Sequence, residues 1–122
     1  MKEGADIDPV TPTGDDLLRM LAALANPHRL RIVASLAGGR NYVSQLAREL
    51  GISRPLLHLH LQRLEGAGLV SGALELSEDG KAMKYFEVTA FAIALTPEAI
   101  VEAVKSLTDD VVDKNVSSKG GS

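Results

Sequence analysis

At 122 residues, 45% of them hydrophobic, the chain has room for one compact domain and too much apolar content for general disorder; its net charge is −3. Trp is absent and Tyr and Phe number two each, so Leu, Ile, Val and Ala must build the core, a composition that suits packed helices. The absence of cysteine excludes disulfides, thiolate metal sites and thiol redox switching, and no apolar run approaches the roughly 20 residues that cross a bilayer.

Residues 1–14 carry Pro9 and Pro12 without an apolar period and read as a flexible N-terminal arm. Their acidic start, Met1 to Asp6, lacks a signal peptide's apolar stretch, so a cytoplasmic location is expected. From Asp15 the pattern turns helical, with Leu17, Leu18, Leu21 and Leu24 at three- and four-residue spacing. Asn26-Pro27 ends that helix and caps the next, which Leu30, Ile32, Val33 and Leu36 carry to Gly38-Gly39. A third helix is predicted from Val43 to Leu50. Gly51 breaks it, and Ser53 caps a fourth that runs to Gly66 or Gly68. Leu69–Leu76 and Ala82–Val88 read as strands around the turn Ser77 to Lys81, where Asp79-Gly80 signals a hairpin. Thr96-Pro97 opens a last helix to residue 112, striped by Ile100, Val104, Leu107 and Val111. Residues 15–112 thus form one domain, and 113–122, ending Ser-Ser-Lys-Gly-Gly-Ser, read as a disordered tail.

The stretch Val43 to Leu61 carries the functional signal. Ala47 is small where two helices would cross closely, and Gly51, four residues on, permits the left-handed backbone of a tight turn. Leu46, Leu50, Ile52, Leu57 and His60 fall at the spacings that face a shared core. Followed by a glycine-bounded hairpin, this is a winged helix-turn-helix pattern. The charge distribution agrees: residues 17–64 hold seven Arg against Glu49 alone, a local +6 inside a chain of net −3. Local field, not total charge, steers a polyanion.

Asn26-Pro27-His28-Arg29-Leu30-Arg31-Ile32-Val33 resembles the second-helix signature of the ArsR/SmtB repressors, as do the run Ser53 to Leu64 and the wing end Tyr85 to Val88. The resemblance implies a mainly α fold with a β-hairpin wing, in the order ααααββα. It also implies a homodimer paired through its first and last helices (Leu17, Leu18, Leu21, Leu24, Ile100, Val104, Leu107, Val111), binding double-stranded operator DNA and usually repressing. On the fourth helix the outward residues would be Ser53, Arg54, Pro55, His58, Leu59, Gln62 and Arg63. Arg suits a guanine edge and Gln an adenine edge, while Leu59 or Leu56 suits a thymine methyl. Ser53 is a cap, a DNA contact or both. Lys81 and Lys84 are candidate phosphate contacts on the wing, beside Glu75, Glu78 and Asp79. Arg40 and Arg48 would clamp the backbone or balance nearby carboxylates.

The stretch matching the family's Cys-x-Cys metal site is Tyr42 to Leu46, without sulfur, and the last helix offers Glu98, Glu102, Asp109, Asp110 and Asp113 without His. Carboxylates alone are a poor zinc set. His58 and His60 point to different faces, the first toward DNA and the second toward the core, and His28 is expected to be exposed. No cofactor, metal or catalytic site is therefore expected, and no membrane partner. Control by an organic ligand, by a protein or by no effector stays open. Ala90 to Leu95 alternates large and small like a strand and would extend the wing sheet or pack under the last helix. Two other readings compete: a winged-helix protein-interaction module without DNA binding, and a metal sensor built from carboxylates and His.

Overall fold

The computed structural model describes residues 12–108; most of the expected arm, the tail 113–122 and Val111 lie outside the described residues. The elements are α1 (Gly14–Leu24), α2 (Pro27–Ala37), β1 (Asn41–Tyr42), α3 (Val43–Leu50), α4 (Arg54–Gly66), β2 (Val70–Leu76), β3 (Ala82–Val88) and α5 (Pro97–Val104). To the expected order the structure adds β1. Two residues are too few to leave a periodic signal.

Side-chain caps set the helix starts. The Asn26 carboxamide oxygen accepts from the backbone N–H of His28 at 2.8 Å and Arg29 at 3.2 Å. Ser53 Oγ accepts from Leu56 at 3.2 Å, and Thr96 Oγ1 from Ala99 at 3.0 Å. Each cap is followed by Pro in the first turn, where its missing N–H costs nothing. Gly51 ends α3 at φ +70°, the left-handed conformation that lets the chain reverse within three residues into α4.

The chain divides into two compact units, Met20–Ala90 and Met1–Arg19 with Phe91–Ser122. The larger holds the winged helix-turn-helix. Its core is aliphatic, as the composition required: Ile32, Leu36, Leu46, Leu57, Leu61, Leu64 and Leu69 are fully buried, sealed by Phe86. The sheet is antiparallel in the order β1-β3-β2, with Tyr42 opposite Tyr85, Gly72 opposite Phe86 and Leu74 opposite Lys84. Gly72 is required by close approach, because a Cβ there would lie 2.6 Å from the Phe86 ring. The hairpin closes through Ser77 N–H to Lys81 O at 2.8 Å.

In the smaller unit Gly14 N–H donates to Ser106 Oγ at 2.9 Å. The Asp15 carboxylate accepts from Thr108 N–H at 3.0 Å and Thr108 Oγ1 at 2.9 Å. These bonds tie the start of α1 to the chain just beyond α5. They also correct the expected length of the last helix, which ends at Val104 instead of continuing to 112. Lys105 and Ser106 turn back onto the carbonyls of Glu102 and Ala103, so Leu107 leaves the helical stripe. Ala90 to Leu95 makes an isolated bridge at Ile93 and does not extend the wing sheet as a regular strand.

The packing of Phe86 over Gly72 yields the first prediction. Gly72→Ala should lose about 1–3 kcal/mol of unfolding free energy, the usual cost of overpacking. Urea denaturation measures it, and an unchanged midpoint would show that the ring does not sit on that glycine.

Candidate nucleic-acid interface

α4 has two chemically distinct sides. Leu57, His60, Leu61 and Leu64 are buried, whereas Arg54, Pro55, His58, Leu59, Gln62 and Arg63 are exposed. The alternation follows from 3.6 residues per turn, since a spacing of three or four keeps a residue on its side. Ser53 sits at the helix start, its hydroxyl oxygen occupied as the cap while the residue itself remains exposed. All eleven residues assigned from sequence to a DNA face, Arg40, Arg48, Lys81 and Lys84 included, are solvent-exposed.

A cleft of about 540 Å³ gathers four of them. Arg54 and His58 from α4 line it together with Lys81, Ala82, Met83 and Lys84 from the wing and Tyr42, Val43 and Ser44 around the start of α3. Ser44 is a polar group that the sequence reading did not assign; an N-terminal position on the helix preceding a helix-turn-helix glycine is the signal that marks it. Farther along α4, Leu59 and Arg63 border a smaller cleft of about 250 Å³ with Arg29, Leu56 and His60. From Arg54 to Arg63 the helix rises about 13 Å, so the polar side is a strip and not one pocket.

Two of the wing carboxylates, Glu75 and Asp79, are already engaged. Glu75 accepts from Tyr42 Oη at 2.5 Å and from Arg40 Nη2 at 3.1 Å, and the Arg40 guanidinium lies 4.2 Å from the centre of the Tyr85 ring. The Tyr42 hydroxyl first and Arg40 second hold the Glu75 carboxyl below its ordinary range, while the same carboxylate raises the Tyr42 phenol. Arg40 thus balances a carboxylate in the free protein. Asp79 is bonded to Ser77 within the turn, which lowers its carboxyl. Because Glu75 pairs with Met83 and Lys84 with Leu74, Glu75 and Lys84 project from opposite faces of the ribbon. The ammonium of Lys84 stands 5.5 Å over the Phe86 ring on its own face.

The other assigned residues fall as follows. Leu17 is buried within its own chain, Leu18, Leu24 and Leu107 are half-buried, and Leu21, Ile100 and Val104 are exposed. On α5 the neighbouring Val101 is 61% exposed, an apolar residue missing from the predicted stripe. His28, expected in solvent, is half-buried with its ring 5.2 Å from that of His60. The correction has a simple cause: the first turn of α2 packs toward α4, which its own sequence does not reveal. Among the described residues no group of three or more His, Cys, Asp or Glu could hold a metal ion, and no helix is long and apolar enough to cross a membrane.

A family model described as "Bacterial regulatory protein, arsR family" matches residues 26–71, the span from the α2 cap to the start of the wing. An uncharacterized HTH-type transcriptional regulator of Methanocaldococcus jannaschii is 35% identical over 85 residues, covering 70% of this chain and 88% of that protein. The HTH-type transcriptional regulator CmtR of Mycobacterium tuberculosis is 41% identical over 69 residues, 57% of this chain and 55% of CmtR. Among solved structures, a homodimeric winged helix-turn-helix DNA-binding domain from Mycobacterium bovis, described as a possible ArsR-family regulator, superposes with a TM-score of 0.55. It is 25% identical and covers 88% of this chain and 89% of its own.

The Glu75 cluster gives a pH prediction. A carboxyl lowered in the folded state stabilises the protein above its unfolded value, 4.5, and that stability is lost as pH falls through the lowered value. Wild type should therefore unfold at a higher temperature than Glu75→Gln at neutral pH, with the gap closing below about pH 4.5. A gap that stays constant on acidification would mean the carboxylate has no such partners.

Proposed function

The chain belongs to the ArsR family of bacterial regulatory proteins, and from that membership we propose that it is a homodimeric, sequence-specific operator-binding protein that represses transcription. The observation that carries this reading is the one cleft that Arg54 and His58 of α4 line together with Lys81 and Lys84 of the wing. A duplex seated there sets α4 in the major groove, about 12 Å wide, and the two lysines against the phosphates. Arg54 reads a guanine edge, Gln62 an adenine edge, and Leu59 a thymine methyl. Ser53, Pro55, His58 and Arg63 line the groove walls, and Arg48 adds positive charge behind them. Arg40 serves the wing through Glu75 before it serves any phosphate.

Pairing is supported by the apolar side chains that α5 leaves in solvent: Ile100, Val101 and Val104 are each at least 45% exposed on a helix of eight residues. A second copy covers them. The homodimeric state of the M. bovis domain is in keeping with this. Two recognition helices related by a two-fold axis require half-sites about 34 Å apart, one helical turn. Repression follows from such a dimer occupying promoter DNA that polymerase needs. The chain has no cysteine, so its control, if by an effector, uses an organic ligand or a protein and not a metal–thiolate centre.

Two experiments test the reading. In mobility-shift titrations with the DNA upstream of its own gene, Arg54→Ala should cost about 1–3 kcal/mol and relax preference at one base position. Lys84→Ala should weaken binding evenly across sequences and reduce the salt slope by about 1. Affinity that ignores salt would instead favour a protein-interaction module. Ile100→Asp with Val104→Asp should sediment as a monomer and protect no paired half-sites; a dimer surviving both changes would place the interface elsewhere.

A further inference from the structure

His60 is a titratable group buried on the helix that carries the DNA-facing residues, and nothing in the operator-binding reading uses it. It is 8% exposed. Its Nδ1 lies 3.0 Å from Arg29 Nη1. A guanidinium only donates, so Nδ1 is the acceptor and the imidazole proton resides on Nε2, which is buried without a hydrogen-bond partner. The same guanidinium donates through Nε to Ala23 O at 2.6 Å and through Nη2 to Ala22 O at 3.5 Å. Those carbonyls belong to the last turn of α1, where Ala22 O also accepts from Ala25 N–H at 3.3 Å. Arg29 therefore stands on α2, caps α1 and holds α4, joining three helices through one planar group.

We propose that Arg29 is a positioning residue for the recognition helix, acting through His60, and that a proton on His60 releases the pair and weakens the grip of α4 on DNA. The proposal rests on the operator-binding reading above. Protonation at Nδ1 removes the acceptor that Arg29 Nη1 meets and sets two cations in contact. The groups acting on the imidazole make this worse: Arg29 and His28 come from α2 and Arg63 from α4 itself, all cationic when charged. α3 and β2, which also pack on α4, bury only apolar residues, Val43, Leu46 and Ala47 from one and Val70 from the other. Among the described residues no carboxylate acts on the imidazole to offset them. Burial first, then Arg29, His28 and Arg63, hold the imidazole below the ordinary 6.5. The sign follows: a depressed histidine leaves the paired arrangement intact above about pH 6.5 and destabilises it as pH falls below that value.

The chain has three histidines, and the wild type and His60→Gln both keep His28 and His58, so the difference between their pH profiles belongs to His60. Fluorescence anisotropy with a labelled duplex from upstream of its own gene, from about pH 7.5 to about pH 5.5, then reads that difference, limited to tenfold per pH unit for a single proton. Affinity of the wild type should fall on acidification. His60→Gln, which keeps an acceptor for Arg29 but does not titrate, should give a shallower profile. Equal slopes in the two proteins would overturn the proposal. A DNA-free arm separates this from failure of the operator-binding reading, which would show as no binding by the wild type even at about pH 7.5. In NMR titrations the amide resonances of α4 should move with the His60 imidazole, and Arg29→Gln should raise the imidazole's midpoint. A midpoint indifferent to Arg29, or α4 amides indifferent to the titration, sinks the proposal whether or not DNA binds.

Discussion

Four side chains of α4, namely Leu57, His60, Leu61 and Leu64, are committed to the core, and their burial fixes how the opposite side of that helix meets solvent. Each buried leucine contributes about 1.5–3 kcal/mol, well above what an exposed ion pair supplies. Packing therefore decides the rotation of α4 about its own axis. Turning the helix by a single residue, 100°, would bury Arg54 or Gln62 and expose a leucine. Gly51 contributes at the other end by delivering the chain to Ser53 in the one backbone conformation that starts α4 against α3.

The wing solves a charge problem on a smaller scale. A hairpin holding Glu75, Glu78 and Asp79 beside two lysines is a poor surface to set against phosphate if all of them share a face. The pleat separates Glu75 from Lys84, and Arg40 and Tyr42 engage the Glu75 carboxylate on its own side. Asp79 is taken up within the turn by Ser77. What remains toward the cleft is Lys81 and Lys84, which line it together with Arg54 and His58. A chain of net −3 can in this way present a basic groove, because charges a few ångströms apart on opposite faces of a sheet act on different partners.

Buried polar chemistry in the core has a different character. Most of the interior is aliphatic and indifferent to pH, yet Arg29 and His60 place a donor and an acceptor between helices that leucines alone would hold. An unpartnered Nε2 in such a place is costly, about 1–3 kcal/mol by comparison with other buried donors. That cost is tolerable if the pairing fixes a geometry that apolar contact, being non-directional, leaves loose.

Much of this protein was legible along the chain. Asn26-Pro27, Ser53 and Thr96-Pro97 announced helix starts by local bonding, Gly51 and Asp79-Gly80 announced turns by backbone freedom, and the leucine spacing on α4 separated its two sides. These are interactions among residues a few positions apart, so sequence alone determined them. The second strand partner of β3, the pairing of Arg40 with Glu75 35 residues on, the reach of Arg29 to His60 and the bond between Asp15 and Thr108 were decided only by the tertiary structure. The early end of α5 belongs with them, since contacts with the distant start of α1 accompany it. Such pairings depend on which faces meet after the chain has closed on itself, and periodicity records which face a residue occupies but not what that face will touch.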